Sequence, residues 1–227
     1  YLSDKITDLK PYIPDRYSEG YGISKRAINH ANSEGTNLII ALDCGIKAIE
    51  KVRYASSLGI DFIICDHHVP GEILPDAVAI LDPKRTDCNY PFKDLCGCGI
   101  GFKLIQAINN QLGLSDSDLI IYLDLVAVSI AADLVPLVGE NRTLMFLGLK
   151  QLRENPRLGF KILIKDLLRP INVSDLAFVI APRINAAGRM DHGINAVKLM
   201  TSKDQKVVLS IARTIEFFNT ERKSTEE

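Results

Sequence analysis

Apolar segments that end at an acidic residue set the strongest limit on how this chain can fold. Residues 37–42 form one such segment, Asn-Leu-Ile-Ile-Ala-Leu, and Asp43 follows it. Residues 61–65 form a second, Asp-Phe-Ile-Ile-Cys, which begins after Gly59 and is followed by Asp66. Strands that are apolar throughout, and that are separated by helical patterns, are typical of a parallel sheet with helices on both faces. The sequence therefore predicts an α/β fold.

Helical patterns lie between these strands and dominate the second half of the chain. A third apolar segment at residues 77–81 completes the expected sheet. The expected helices are residues 23–33, 46–58, 101–112, 118–132, 142–154 and 160–168, and a charged helix from residue 203. Residues 182–189 are expected to form a loop, because Pro182 interrupts the apolar pattern. The predicted architecture is a parallel sheet flanked by helices, followed by a mostly helical segment.

Composition excludes several classes of protein. The 227 residues carry a net charge of −1, so any contact with nucleic acid must come from a local basic patch. No apolar stretch reaches the roughly 18 residues that a membrane span needs, and no signal-peptide pattern opens the chain. The five cysteines lack paired CxxC spacing, which favours reduced thiols and a cytoplasmic location.

The triplet Asp66-His67-His68 forms a candidate metal site at the end of the second strand. Carboxylate and neutral imidazole together suit Mn²⁺, Zn²⁺ or Fe²⁺. Neighbouring parallel strands finish at the same edge of a sheet, so Asp43 can face the same crevice as Asp66. Two alternatives stay open from the residues alone. The histidines can be ordinary loop residues, and Asp43 can cap the helix that begins near Gly45.

Two further acids lie in or beside the predicted helix at residues 118–132. Asp133 follows the end of this helix, where a negative charge opposes the helix dipole and a bound cation would remove the penalty. An ordinary acid at the start of a loop is the alternative. Asp124 lies among apolar residues of the same helix, where it can pair with an arginine, and it ranks second to Asp133 as a ligand candidate.

Three segments carry candidate substrate contacts. Residues 97–103, Gly-Cys-Gly-Ile-Gly-Phe-Lys, can offer backbone N–H groups to a phosphate, although close helix packing explains the glycines as well. Residues 182–189, Pro-Arg-Ile-Asn-Ala-Ala-Gly-Arg, hold two arginines that either bind phosphate bidentately or remain solvated. Residues 14–22 form a further loop with glycine, aromatic and arginine residues, for which binding and a structural turn are both open.

In this order the segments resemble the DHH phosphoesterase superfamily, and within it the RecJ-type single-stranded-DNA exonucleases. The likeness rests on PDRYSEGYGIS (14–24), LDCG (42–45), CDHHVP (65–70), CGCGIGFKL (96–104), ADLVPLVGENR (132–142) and the RecJ-specific APRINAAGRM (181–190). The resemblance implies a DHH domain over residues 1–202, with residues 203–227 starting the helix that connects to a second domain. The family's first motif, Asp-x-Asp, has no counterpart here. Residues 1–227 alone are therefore expected to have an incomplete metal site and little nuclease activity.

The resemblance also implies roles for individual residues. Asp43, His67 and Asp133 would hold Mn²⁺ or Mg²⁺, with Asp43 bridging two ions. Asp66 would orient the metal-binding histidine as a supporting acid, and His68 would contact the scissile phosphate. The residues implied to contact DNA are Gly99, Lys103, Arg183, Asn185, Arg189 and Arg16.

The activity implied by the resemblance is metal-dependent hydrolysis of single-stranded DNA from its 5′ end, in DNA repair and recombination. Single-stranded DNA would be the partner, a single-strand-binding protein or a helicase would be a further candidate, and no membrane would be involved. One alternative is a DHH phosphodiesterase that cleaves short oligonucleotides or dinucleotides, and residues 182–189 argue against it. Another is a catalytically inactive DHH scaffold in a replication assembly, and the presence of Asp43, His67 and Asp133 argues against that.

Overall fold

Three short parallel strands form the sheet in the computed structural model, in the order β1-β2-β3. The strands are β1 (Leu38–Leu42), β2 (Asp61–Cys65) and β3 (Ala79–Leu81). The register pairs Leu42 with Cys65 and Cys65 with Leu81, so the three strands finish at one edge of the sheet. The parallel sheet expected from the apolar segments is confirmed. The structure describes residues 1–190 and 193–226, with side chains for residues 1–186 and 193–220.

Helices cover both faces of the sheet, because strands that are apolar throughout must be shielded from water on each side. Helices α1 (Lys25–Ser33) and α2 (Ile49–Ser57) pack on one face, around Phe62. On the other face Cys65 joins a larger apolar core to which α3 (Gly97–Gln111) contributes. The sheet edge that carries the acidic residues therefore belongs to a well-packed layer structure.

The second half of the chain is helical, as expected. Its helices are α4 (Leu123–Ala132), α5 (Gly139–Glu154), α6 (Leu158–Leu163), α7 (Val173–Asp175), α8 (Ala181–Met190), α9 (Ile194–Thr201) and α10 (Gln205–Glu226). Helices α4 and α5 approach closely at Gly148, where an added Cβ would lie 2.3 Å from the carbonyl oxygen of Leu123. The first half of α10 packs against α9 through Val208 and Ile215, which share a buried cluster with Leu199.

Residues 182–189 lie in α8, so the prediction of a loop over these residues was wrong. Pro182 cannot donate a backbone hydrogen bond, but it lies in the first turn of α8, directly after a wider π turn over Leu176–Ile180. Such a turn accommodates the missing donor, and the arginine and alanine residues that follow favour a helix. The proline therefore marks a local change of helix geometry, whereas the sequence pattern suggested an interruption.

The cysteines and the helix lengths test the expectations of reduced thiols and of no membrane span. All five cysteines are free thiols, as the spacing predicted. Burial raises the pKa of Cys65 to about 12 and that of Cys98 to about 12, so both thiols stay protonated at neutral pH. Within the described part of the chain, no helix has both the length and the apolar character needed to cross a membrane.

Candidate metal centre

An aspartate follows the last residue of each strand: Asp43, Asp66 and Asp82. The Asp43 N–H donates to the Cys65 carbonyl (2.8 Å), and the Asp66 N–H donates to the Leu81 carbonyl (3.0 Å). The strand pairing thus carries the three acids to one edge. Sequence reasoning missed Asp82 as a site residue, although its position after an apolar strand is the same signal that identified the other two. Asp82 is buried, and burial raises the pKa of its carboxyl group.

Asp43 occupies a strained backbone conformation and does not cap a helix. Its φ is 62°, in the left-handed region that aspartate tolerates better than most residues. Helix α2 begins at Ile49, behind Ala48, and has no side-chain cap. The capping alternative is therefore excluded. Among the described residues, buried Oδ1 of Asp43 accepts no well-aligned hydrogen bond, and it lies 3.1 Å from Nε2 of His67.

His67 is held so that one ring nitrogen points to Asp43. Its Nδ1 lies 3.1 Å from the carbonyl oxygen of Leu95, which can only accept, so Nδ1 carries the proton. This assignment leaves Nε2 as the nitrogen beside the Asp43 carboxylate. That carboxylate raises the pKa of His67, while partial burial opposes the rise. The Leu95 carbonyl therefore fixes the tautomer that a metal-binding imidazole needs.

Asp66 orients His68, whereas the expected target of its orienting role was His67. Asp66 is buried, and its Oδ1 accepts from Nδ1 of His68 (2.7 Å) and from the His67 N–H (2.8 Å). Its Oδ2 accepts from the N–H of Ile46 (2.9 Å). Burial alone would raise the pKa of Asp66, but these hydrogen bonds lower it below its ordinary value. Asp66 is thus an ionised acid that fixes the ring of His68 and the backbone of the triplet.

Asp133 lies at the end of α4, close enough to the strand edge for its charge to act on the other groups. Partial loss of hydration raises the pKa of the Asp133 carboxyl group, and the negative charge of Asp43 raises it further. Ser129 Oγ donates to Asp133 across 3.4 Å. The other acid of this helix, Asp124, is not a ligand candidate, because Arg157 binds both of its carboxylate oxygens.

Asp43, His67 and His68 form a cluster that suits a divalent cation. One candidate ligand atom from each of these residues lies within 4.8 Å of the others. The buried Asp43 oxygen without a well-aligned hydrogen bond, and the neighbouring negative charge of Asp133, would both gain from a cation. Carboxylate and imidazole donors fit Mn²⁺ and, with more oxygen ligands, Mg²⁺.

Comparison with known proteins agrees with this geometry. The model described as "DHH family, N-terminal domain" matches residues 1–130. The chain belongs to the DHH family. It is 44% identical over 214 residues to the single-stranded-DNA-specific exonuclease RecJ of Bacillus subtilis, covering 93% of this chain and 26% of that protein. It is 36% identical over 228 residues to RecJ of Escherichia coli, covering 95% of this chain and 40% of that protein.

Solved structures place this DHH-family chain close to RecJ in three dimensions. A crystal structure of exonuclease RecJ bound to manganese matches with a TM-score of 0.85 and 31% identity, over 96% of this chain and 55% of that one. RecJ from Thermus thermophilus in complex with Mn²⁺ matches with a TM-score of 0.80 and 28% identity, over 96% of this chain and 31% of that one. The chain spans well under two thirds of the length of these relatives.

Two residues of α3 that were expected to contact DNA already have partners within this chain. Gly99 is buried, and its N–H donates to Sγ of Cys96 (3.3 Å). Lys103 forms an ion pair with Glu140 and donates to Gln106 (2.8 Å). At Gly99 these contacts favour the alternative of close packing, and a phosphate contact by Gly99 or Lys103 stays a prediction.

The other four residues expected to contact DNA differ in whether their side chains already bind another group of the chain. Arg183 binds the Glu216 carboxylate with two nitrogens (2.7 and 3.2 Å) and donates to the Val179 carbonyl (3.0 Å). Asn185 is exposed. Arg16 is also exposed, with its guanidinium 5.6 Å from the ring centre of Tyr21. The side chain of Arg189 lies outside the described residues.

Replacing Gly97 with alanine is expected to weaken Mn²⁺ binding by about tenfold or more, the size of effect seen when groups that support metal ligands are displaced. A Cβ on Gly97 would lie 2.2 Å from Oδ1 of Asp43, so the carboxylate must move. Isothermal titration with Mn²⁺ measures the affinity. Gly99→Ala is the matched control, since its nearest new contact is 3.4 Å, to Cys96 Sγ. Equal Mn²⁺ affinities for the two variants would contradict the prediction.

Proposed function

We propose that this DHH-family chain carries the catalytic site of a 5′-to-3′ exonuclease that hydrolyses phosphodiester bonds of single-stranded DNA, in DNA repair and recombination. The observation that carries the proposal is the cluster of Asp43, His67 and His68 at the carboxyl edge of the sheet. The relatives from Bacillus subtilis and Escherichia coli are named as single-stranded-DNA-specific exonucleases, which supports the substrate class.

The cofactor in this proposal is Mn²⁺ or Mg²⁺, held by Asp43, His67 and Asp133. RecJ has been solved with each of these ions, which supports the choice. Bound divalent ions would activate a water molecule and stabilise the negative charge that develops on the phosphate oxygens. The negative charges of Asp43 and Asp133 raise the local affinity for cations.

The remaining groups orient the reacting parts. The Leu95 carbonyl holds the proton of His67 on Nδ1 and so keeps Nε2 available as a ligand atom. Asp66 holds the half-exposed ring of His68 at the mouth of the site, where it can contact the scissile phosphate. Nδ1 of His68 donates to Asp66, so Nε2 is the ring nitrogen left to face a phosphate oxygen.

The test is a comparison of substrates with the intact protein in Mn²⁺. A 5′-labelled single-stranded DNA, the same sequence as a duplex, and a dinucleotide are supplied at equal concentration. We expect mononucleotides from the 5′ end of the single strand, slow cleavage of the duplex, and loss of activity when EDTA is added. Faster hydrolysis of the dinucleotide than of the long strand would instead identify a phosphodiesterase for short substrates and overturn the proposal.

The proposal extends to the cellular location, the partners and the domain boundaries. Reduced cysteines support a cytoplasmic location, and a nuclease restricted to single strands would work beside a helicase or a single-strand-binding protein. We propose residues 1–202 as the DHH domain and residues 203–227 as the start of a connecting helix, whose first half is anchored on α9 through Val208.

A further inference from the structure

Several cations of this chain, two of which were expected to contact DNA, are neutralised by neighbouring carboxylates. Lys103 pairs with Glu140, Arg183 with Glu216, and Arg85 binds Asp87 with two nitrogens. The strand edge itself is strongly acidic, because an aspartate follows each of the three strands. A DNA strand that approaches this edge therefore needs a cation that no carboxylate already neutralises.

Lys84 is a cation of this kind at the strand edge. Cys65 pairs with Leu81 in the register of β2 and β3, so residues 82–84 continue the chain beside the triplet that follows β2. The Lys84 backbone N–H donates to Oδ1 of Asp82 (2.8 Å), which fixes the start of its side chain at this edge. Within the part of the chain whose side chains are described, the Lys84 ammonium has no ion-pair partner, and the residue is partly exposed.

The charge of Lys84 reaches the groups of the candidate metal centre. Lys84 lies two residues after Asp82, which follows β3 at the edge where Asp43 and Asp66 follow β1 and β2. Burial raises the pKa of Asp82, and the positive charge of Lys84 partly offsets that rise.

We infer that Lys84 contacts a phosphate of the bound DNA strand on the β3 side of the metal centre. The inference rests on the proposed function and adds a substrate-binding residue to it. An ammonium at this position neutralises one phosphate as a point charge and reads no base. Its contribution is therefore to strand affinity and to the salt dependence of binding.

Binding of a 3′-labelled phosphorothioate oligothymidylate, which resists hydrolysis, tests this inference by fluorescence anisotropy in Mn²⁺. We expect Lys84→Met in the intact protein to weaken binding about fivefold and to reduce the slope of log K against log salt by about 0.7, the value for one phosphate contact on a single strand. Lys84→Arg should remain within about twofold of the unchanged protein, because it keeps the charge.

The matched control is Lys150→Met. Lys150 is an exposed lysine of α5 and lies two residues after Gly148. Gly148 packs against Leu123 at the start of α4, whereas Asp133 follows the other end of α4. Leu123 and Asp133, at opposite ends of this helix of ten residues, are therefore about 15 Å apart along its axis. Circular dichroism verifies folding, and Lys84→Gln replaces the methionine variant if that one unfolds.

The outcomes separate this inference from the proposed function. Weaker binding and a smaller salt slope for Lys84→Met, with neither change in Lys150→Met, support the inference. Unchanged affinity and slope in Lys84→Met would overturn the role of Lys84 and leave the exonuclease proposal standing. Failure of the unchanged protein to bind the oligothymidylate would overturn both.

Discussion

Replacing His67 with alanine in the intact protein is expected to reduce hydrolysis of single-stranded DNA by about a thousandfold or more. The imidazole is a proposed ligand, and the loss of metal-derived charge stabilisation costs several kcal/mol of transition-state stabilisation, with about 1.4 kcal/mol for each tenfold in rate. The variant also removes the ring nitrogen that lies 3.1 Å from Oδ1 of Asp43. Turnover of a 3′-labelled strand in Mn²⁺ and the Mn²⁺ affinity from titration should fall together.

Two other histidines make the His67 experiment specific. His30→Ala removes an exposed imidazole of α1 and should leave both Mn²⁺ affinity and turnover unchanged. His68→Ala should reduce turnover with a smaller effect on Mn²⁺ affinity, because His68 is proposed to contact the phosphate. Near-normal turnover and Mn²⁺ affinity in His67→Ala would rule out its role as a ligand.

Replacing Arg157 with methionine is expected to lower the free energy of unfolding by about 3–5 kcal/mol. Arg157 donates twice to the fully buried carboxylate of Asp124 (both 2.6 Å) and also to the carbonyls of Met200 and Ile121 (both 3.0 Å). Methionine preserves most of the apolar stem but leaves the Asp124 carboxylate buried without its counter-ion. The arginine thus ties α4 to the end of α9, and urea denaturation measures its loss.

A solvent-exposed ion pair provides the control for the Arg157 experiment. Arg53 and Glu50 form a pair 2.7 Å apart on α2, with 70% and 75% of their side chains exposed. Arg53→Met should therefore change the free energy of unfolding by less than about 0.5 kcal/mol. The double variant Asp124→Leu with Arg157→Met should recover part of the loss, since no charge then remains buried. Equal stability of the Arg157 and Arg53 variants would show that the buried pair contributes nothing specific.

The sequence predicted the sheet well because each strand is apolar along its whole length and ends at an acid. That pattern identified Asp43 and Asp66, and the parallel register brings both to one edge. The same reasoning could have identified Asp82, which follows the shortest strand. The expected arginine pairing of Asp124 is also confirmed, because an acid among apolar residues needs a counter-ion.

Contacts between distant segments could not be predicted in the same way. The Leu95 carbonyl that fixes the His67 ring lies 28 residues along the chain, and the Glu216 carboxylate that binds Arg183 lies 33 residues away. Sequence patterns reveal which residues are basic or glycine but not which groups the fold brings to them. For this reason Lys103 and Arg183 seemed free to bind phosphate, although each has a carboxylate partner in the fold.

The left-handed backbone at Asp43 limits how this position can vary in evolution. A φ of 62° disfavours β-branched and bulky side chains, whereas asparagine and glycine adopt it readily. Asparagine retains the shape of aspartate, removes its charge, and is reachable from aspartate by a single nucleotide change. A descendant that loses metal binding can therefore do so without a cost in folding, and asparagine or glycine here would be the expected signature of a lineage that kept the fold and abandoned the chemistry.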